Sequence, residues 1–530
     1  MTTLLLNGRV HSPVQPDATA MAVRDATVVW LGSDDVGRAQ FPDADVVDLE
    51  GGFVAPAFVD SHVHLTATGL SIVGLDLRGA TSLRHCLELL TEHAGRHPSG
   101  VLWGHGWDET DWPERSAPST DDLDTAAGGR PVYLSRVDVH SAAASSALRR
   151  LVAGLADAHG HHPQRPLTAD AHHRVRAAAR DGLTAPRRDQ ARRAALDAAA
   201  AHGIVAVHEC AGPQIGGLDD WLELRTVEHG VQITGYWGEA ATSTAHARDL
   251  LDRAGAQGLA GDLFVDGALG SRTAWLAEPY ADAPGQCGNT YLDAGAVAAH
   301  LRACTEAGIT AGFHVIGDAA VATVVESLRH LVDEYGAPAV ARCGHRLEHL
   351  EMITPEQAAV LGACGVIASM QPHFDALWGG PNGMYAQRLG VDRAAGLNPF
   401  ALLASQGVPL AFGSDTPVTS MDPWSSVRAA SLHRTPGSAI SLRAAFAAAT
   451  RGAWRAGGVR DGLTGTLVPG APASYAIWAA DSYEVSVPAD SVQRWSTDPR
   501  SRVPALPRLG PDDPLPRCLQ TVHRGAVIHG

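Results

Sequence analysis

From about residue 56 to residue 455, apolar runs alternate with alanine- and arginine-rich stretches of helical period. This is the feature that most narrows the fold. Strands separated by helices, not hairpins, run parallel and bury both faces, which leaves a doubly wound sheet or a closed (β/α)8 barrel. Candidate strands fall at Ala57–Val59, Val101–Trp103, Pro131–Leu134, Ile204–Val207, Val231–Tyr236, Leu263–Val265, Thr310–Val315, Arg342–Glu348, Val366–Met370 and Pro409–Phe412. The clearest helices fall at 188–202, 294–308, 318–334 and 355–363. Polar residues gather just past the strand ends, which favours the α/β class in its (β/α)8 TIM-barrel form, with chemistry at the C-terminal face.

The two ends read differently. Before residue 55 and after residue 458 the chain has short strands and tight turns, including Asn7-Gly8 and Gly32-Ser33-Asp34-Asp35, with no helical period in the first fifty residues. The expectation is one small β-sandwich domain built from both ends, 1–55 with 458–530, around a barrel of 56–457. Residues 76–185 exceed what one βα unit needs, so part of them is expected to form an insertion shaping the pocket mouth. Residues 485–530, rich in proline and arginine, remain unassigned.

Composition removes several functions. The 41 basic residues are outnumbered by 57 acidic ones, a formal net charge of -16, which argues against nucleic acid or a polybasic membrane anchor. No apolar run reaches the roughly 18 residues that a membrane span needs. The amino terminus lacks a basic segment and a long apolar run, and the seven cysteines form no CxxC pair. The expected setting is cytoplasmic and the expected partner a small-molecule substrate. All 41 basic residues are arginine. The absence of lysine excludes Schiff-base chemistry, a P-loop clamp, a Ser-Lys dyad and a metal bridge made from carboxylated lysine.

The sharpest local signal is Val59-Asp60-Ser61-His62-Val63-His64. Residues i and i+2 of a strand face the same side, so His62 and His64 can present two imidazoles to one ion. His314 ends the run Ala311-Gly312-Phe313-His314, His349 follows Arg346-Leu347-Glu348, and Asp415 follows Gly413-Ser414. Imidazoles with a carboxylate suit Zn²⁺, or Mn²⁺, Fe²⁺ or Co²⁺, in place of calcium or magnesium.

These segments carry a resemblance. Val54 to His64 resembles the first-strand motif of the amidohydrolase superfamily. Gly104-His105-Gly106-Trp107-Asp108-Glu109, Asp266-Gly267-Ala268-Leu269-Gly270-Ser271-Arg272, His314-Val315-Ile316-Gly317-Asp318, Arg346-Leu347-Glu348-His349 and Gly413-Ser414-Asp415 resemble its YtcJ-like (amidohydrolase 3) branch, which includes N-substituted formamide deformylase. The resemblance implies metal ligands at His62, His64, His314, His349 and Asp415. It also implies metal-activated water, with Asp415 as general base and then general acid, and His349 beside it in catalysis. A homodimer is a family-level expectation.

The chain also departs from that branch. Asp262 stands where many members carry the lysine that bridges two metals. Either Asp262 bridges directly, which demands that backbone or metal move by ångströms, or one ion is held by His62, His64, His314 and Asp415. Glu209, after another strand end, is a further candidate carboxylate. Val139 replaces a common glycine before His140. Trp107, His140 and Arg272 are the candidate substrate contacts. The leading activity is hydrolysis of a non-peptide amide-type C–N bond in an N-formyl or N-acyl amine. The alternatives are a mononuclear deaminase of a cyclic amidine or N-heterocycle, and a degenerate, non-catalytic barrel.

Overall fold

The computed structural model describes residues 1–484 and 503–530. Its centre is a ring of parallel strands: β1 (Phe58–Val63), β2 (Ile204–Ala211), β3 (Gln232–Trp237), β4 (Gly258–Leu259), β5 (Thr310–Val315), β6 (Arg346–His349), β7 (Ile367–Met370) and β8 (Leu410–Phe412). Each pairs with the next in chain order. The ring is closed by backbone bonds just past β8 and β1: Asp415 N–H donates to His62 O at 2.8 Å, and His64 N–H to Thr416 O at 3.0 Å. Helices cover the outside of the ring, so all eight residues of β2 are buried, the polar His208 and Glu209 among them.

The helices Ala185–Ala201, Ala294–Ala307, Asp318–Tyr335 and Pro355–Ala363 fall where the sequence places them. Their ends follow local chemistry. The Asp293 side chain accepts from Ala296 N–H, and Thr354 and Gln357 form a reciprocal capping box. Gly308, at φ +70°, turns the chain from its helix into β5.

Four expectations change. The strands near Val101–Trp103 and Pro131–Leu134 exist, but they belong to a separate five-stranded sheet and not to the barrel. There Ser141–Ala144 pairs antiparallel with Val132–Arg136, a hairpin return that no βα alternation contains. Arg342 lies in the short helix Ala337–Cys343, so β6 begins only at Arg346. Leu263–Val265 is not a continuous strand; the fourth barrel strand is the earlier pair Gly258–Leu259, and only Phe264 forms an isolated bridge, to His314. The first fifty residues contain one helix, Asp34–Gln40, whose acidic first turn complements its N-terminus.

Two further sheets hold the chain ends, the first from the amino-terminal end alone and the second from both ends. Thr27–Gly32, Ala20–Arg24, Thr2–Leu6 and Asp45–Asp48 form one. The other pairs Phe53–Pro56 with Tyr475–Ala479, which pairs in turn with Arg517–His523. Leu5, Val10, Met21, Val54, Tyr475, Ile477 and Val522 belong to one apolar cluster that draws on both sheets, giving a sandwich beside the barrel. Of the unassigned stretch 485–530, residues 485–502 lie outside the described residues. No helix among the described residues is long and apolar enough to cross a membrane.

Candidate metal centre

His62 sits near the end of β1 and His64 immediately after it, both buried. Across the seam, Asp415 turns inward with φ +54°, a left-handed backbone that aspartate tolerates better than most residues. Its Oδ1 lies 3.4 Å from His62 Nε2 and 3.3 Å from His64 Nε2. Asp262 completes the group: its Oδ1 is 3.4 Å from His62 Nε2 and its Oδ2 is 3.2 Å from His64 Nε2. A tetrahedral ion with ligand bonds of about 2.0–2.1 Å sets its donors about 3.3 Å apart. Each of His62 and His64 thus stands 3.2–3.4 Å from an oxygen of both carboxylates, the spacing of two ligands on one such ion. His62 Nε2, Asp262 Oδ1 and His349 Nε2 are buried without a hydrogen-bond partner among the described residues, an arrangement that proteins avoid unless something else binds there.

Asp262 reaches the cluster because the backbone moves. The β4 ladder stops at Leu259, and Gly261 adopts φ +76°. The main chain of Asp262 then packs on Gly238, where an added Cβ would stand 2.7 Å from its carbonyl carbon and oxygen. Two glycines thus let a short carboxylate approach three imidazoles. The third is His349, whose Nε2 lies 3.9 Å from Asp262 Oδ1. His314 faces it, with ring centroids 4.4 Å apart. Among the described residues, His62 with His64 and Asp262, and His62 with His349 and Asp415, are triads whose ligand atoms lie within 4.8 Å of one another.

Hydrogen bonds behind the cluster orient it. His62 Nδ1 donates to Glu348 Oε2 at 2.9 Å, and His349 Nδ1 to Gln371 Oε1 at 2.8 Å, so each turns Nε2 inward. Glu348 is itself gripped by the fully buried Arg346, which also donates to Ser61 O and Ser369 Oγ and covers the Tyr236 ring. Burial disfavours every charge here, and opposite charges overcome it. Asp262 and Asp415 hold His64 well above the usual histidine range, and they carry His349 up to about 9. The charges of His62 and His64 hold Asp262 well below the carboxylate range. His314, pushed down by burial and by His349, is neutral.

A cavity of about 910 Å³, counted with its open mouth, leads to this cluster. It is walled by Trp103, Tyr133, His140, Arg176 and Phe264. His140 therefore lies where a substrate contact is expected, 5.2 Å ring to ring from His314. Its backbone N–H donates to Asp138, and Val139 keeps φ +58° although it is β-branched. Trp107 and Arg272 do not line this cavity. Trp107 is packed inside the insertion with its N–H on Leu134 O. Arg272 is engaged by both oxygens of Asp282 at 3.0 and 2.7 Å. Glu209 lines the cavity but accepts from Leu65 N–H; burial lifts it to about 7. Glu348, Arg346 and Arg176 are the residues whose parts the sequence reading does not assign. Arg346-Leu347-Glu348, an ion pair at spacing two ahead of a ligand histidine, carries the signal for the first two.

The sequence profile of the amidohydrolase family matches residues 45–529. The chain belongs to that family. This amidohydrolase is 27% identical over 522 residues to "Protein LONG AFTER FAR-RED 3" of Arabidopsis thaliana, spanning 91% of this chain and 88% of the relative. It is 27% identical over 448 residues to "Putative amidohydrolase YtcJ" of Bacillus subtilis, 78% and 80% of the two chains. A shorter match, 29% over 139 residues and 26% of each chain, joins it to the N-substituted formamide deformylase of Arthrobacter pascens. The crystal structure of an uncharacterized metal-dependent hydrolase from Pyrococcus furiosus overlays with a TM-score of 0.69 at 26% identity, covering 91% of this chain and 99% of the other. The amidohydrolase is thus a hydrolase of the metal-dependent superfamily with the barrel-plus-β-domain architecture.

Proposed function

We propose that this amidohydrolase hydrolyses a non-peptide amide-type C–N bond, of the N-formyl or N-acyl amine kind, at a divalent-metal centre. The observation that carries the proposal is the set of 3.2–3.4 Å separations among His62, His64, Asp262 and Asp415. We assign Zn²⁺, whose usual donors are imidazole and carboxylate and whose bond lengths suit those separations. His349, whose Nε2 is 3.9 Å from Asp262 Oδ1, and His314 beside it would be the residues to hold a second ion. Bound there, a divalent cation supplies Lewis acidity toward a carbonyl oxygen and acidifies water.

The chain's own groups do the rest. The Asp415 carboxylate takes the proton of the attacking water and returns it to the leaving nitrogen. Neutral His140 orients the substrate oxygen from the cavity wall, and Phe264 and Val418 narrow the passage against bulk water. The proposal includes the division of labour between domains: residues 56–457 supply the chemistry, and residues 1–55 with 458–530 brace the barrel.

The test is metal content per chain for wild type and Asp262→Asn, with turnover of N-formylbenzylamine followed by amine release. Stoichiometric metal in the wild type, lost together with turnover in the variant, is the expected result. Full metal retention in Asp262→Asn would remove that residue from the centre. A metal-loaded enzyme that releases ammonia from a heterocycle and leaves N-formyl and N-acyl amines intact would replace the amide reading with a deaminase.

A further inference from the structure

Among the described residues, five arginines are at least nine-tenths buried: Arg136, Arg176, Arg192, Arg346 and Arg388. Four face carboxylates, namely Asp138, Asp220, Glu348 and Asp282 respectively. Arg176 has no carboxylate partner among the described residues. Its Nη2 donates to the carbonyl of Gln214, and its Nε is buried with no acceptor at all. A guanidinium stays charged at any physiological pH, so burial without an anion is costly unless an anion arrives.

The place is a binding cavity. Arg176 lies on the helix Ala169–Asp181 of the insertion, and its side chain lines the same cavity that ends at His64, Asp262 and Asp415. Arg180, one turn further along the same helix face, also lines the cavity. It is half-buried, donates to Ile215 O at 2.9 Å and has no carboxylate partner among the described residues. The other acids on the wall are occupied: Asp138 by Arg136, Asp220 by Arg192, and Glu209 by Leu65 N–H. Trp103, Tyr133 and Phe264 give the space between the arginines and the donor cluster an aromatic lining.

We infer that the substrate is an amide that also carries a carboxylate, which docks on Arg176 while the scissile C–N bond lies at the donor cluster. A planar carboxylate matches the unspent N–H edge of a guanidinium, whereas a dianionic phosphate would need more donors than this wall offers. Arg180 draws the anion through the mouth. This inference rests on the amide-hydrolase reading only for what happens at the far end of the cavity.

The test compares 4-(formamidomethyl)benzoate with its methyl ester. In metal-loaded enzyme the acid is expected to be turned over with a kcat/KM about a hundredfold above that of the ester, and Arg176→Gln to raise KM for the acid about thirtyfold with the ester unchanged. Arg180→Gln, nearer the surface, is expected to raise it about threefold. If Arg176→Gln does not fold, the acid–ester comparison and Arg180→Gln decide alone. Calorimetric titration of the same acid into metal-stripped protein keeps the two readings apart. Binding that weakens at least tenfold in Arg176→Gln without hydrolysis in the loaded enzyme would sink the amide reading and leave the anion site standing. Equal handling of acid and ester, equal loss for both in Arg176→Gln, or tighter binding of inorganic phosphate than of the acid would overturn the inference.

Discussion

Oε2 of Glu348 lies 2.9 Å from Nδ1 of His62, and both oxygens of that carboxylate are also engaged by Arg346. An ion pair buried in the barrel thus decides which imidazole nitrogen faces the donor cluster. Replacing only the acid leaves Arg346 uncompensated. Glu348→Gln is expected to lower the unfolding free energy by about 3–5 kcal/mol in urea titrations and zinc affinity by about 10–100-fold. Joining it to Arg346→Met should recover much of the stability and none of the affinity, because the apolar substitution removes the stranded charge but not the need for an acceptor at His62.

Gly238 has nothing to do with binding directly, yet a single methyl there is expected to disable the centre. The added Cβ would stand 2.7 Å from the Asp262 carbonyl group, which is backbone and cannot rotate away. Gly238→Ala should cost about 1–3 kcal/mol by overpacking and, by pushing Asp262 outward, should lower bound metal per chain. Elemental analysis beside a thermal melt separates the two effects; a variant that loses stability but binds metal fully would show that Asp262 need not sit where it does.

Asp138, on the cavity wall but outside the donor cluster, provides a pH test. Burial raises its carboxyl, but Arg136 more than offsets this and holds it below the usual carboxylate range. A folded-state pKa depressed below the unfolded value contributes stability that is complete above about pH 4 and is lost as the pH falls through the folded value. Wild type should therefore lose stability below about pH 4 more steeply than Asp138→Asn, whose urea midpoint is lower at neutral pH and flatter on the acid side. Parallel curves would show that the pair contributes nothing to acid sensitivity.

Val139 holds a left-handed backbone that glycine would adopt without strain. Relief of about 1–2 kcal/mol opposes the entropy cost of glycine and the lost side-chain packing. Val139→Gly is therefore expected to stay within about 1 kcal/mol of wild type in urea, unusually mild for a valine-to-glycine change. A loss of several kcal/mol would mean that side-chain packing outweighs the strain at this position.

Particular residues show what was legible and what was not. β5 and the helix after it read almost to the residue, because Thr310–Val315 is a continuous apolar run and Asp318 opens a strongly periodic segment. The order of His62, His64, His314, His349 and Asp415 around the ring was what the family resemblance implied. Asp262 was visible as a departure, but its reach depends on Gly238 one strand away and on the φ of Gly261, and no local pattern couples those positions. Arg176 lies in a histidine- and arginine-rich stretch that reads as solvated surface. It is buried because its helix, Ala169–Asp181, packs against the mixed five-stranded sheet that the weakly strand-forming Ser141–Ala144 helps to build. Arg272 read as a substrate contact because Asp282, ten residues on, offers no signal of pairing until the loop folds back.

The donor cluster straddles the barrel's last joint. His62 lies in its first strand and His64 just after it, Asp415 follows its last, and among the described residues the two are joined by the backbone bonds from Asp415 to His62 and from His64 to Thr416. Cut between the first strand and the last, the chain would leave neither piece with the whole cluster. A divalent ion held by His62, His64 and Asp415 would tie the first strand to the last, so its removal would be expected to loosen the closure of the ring.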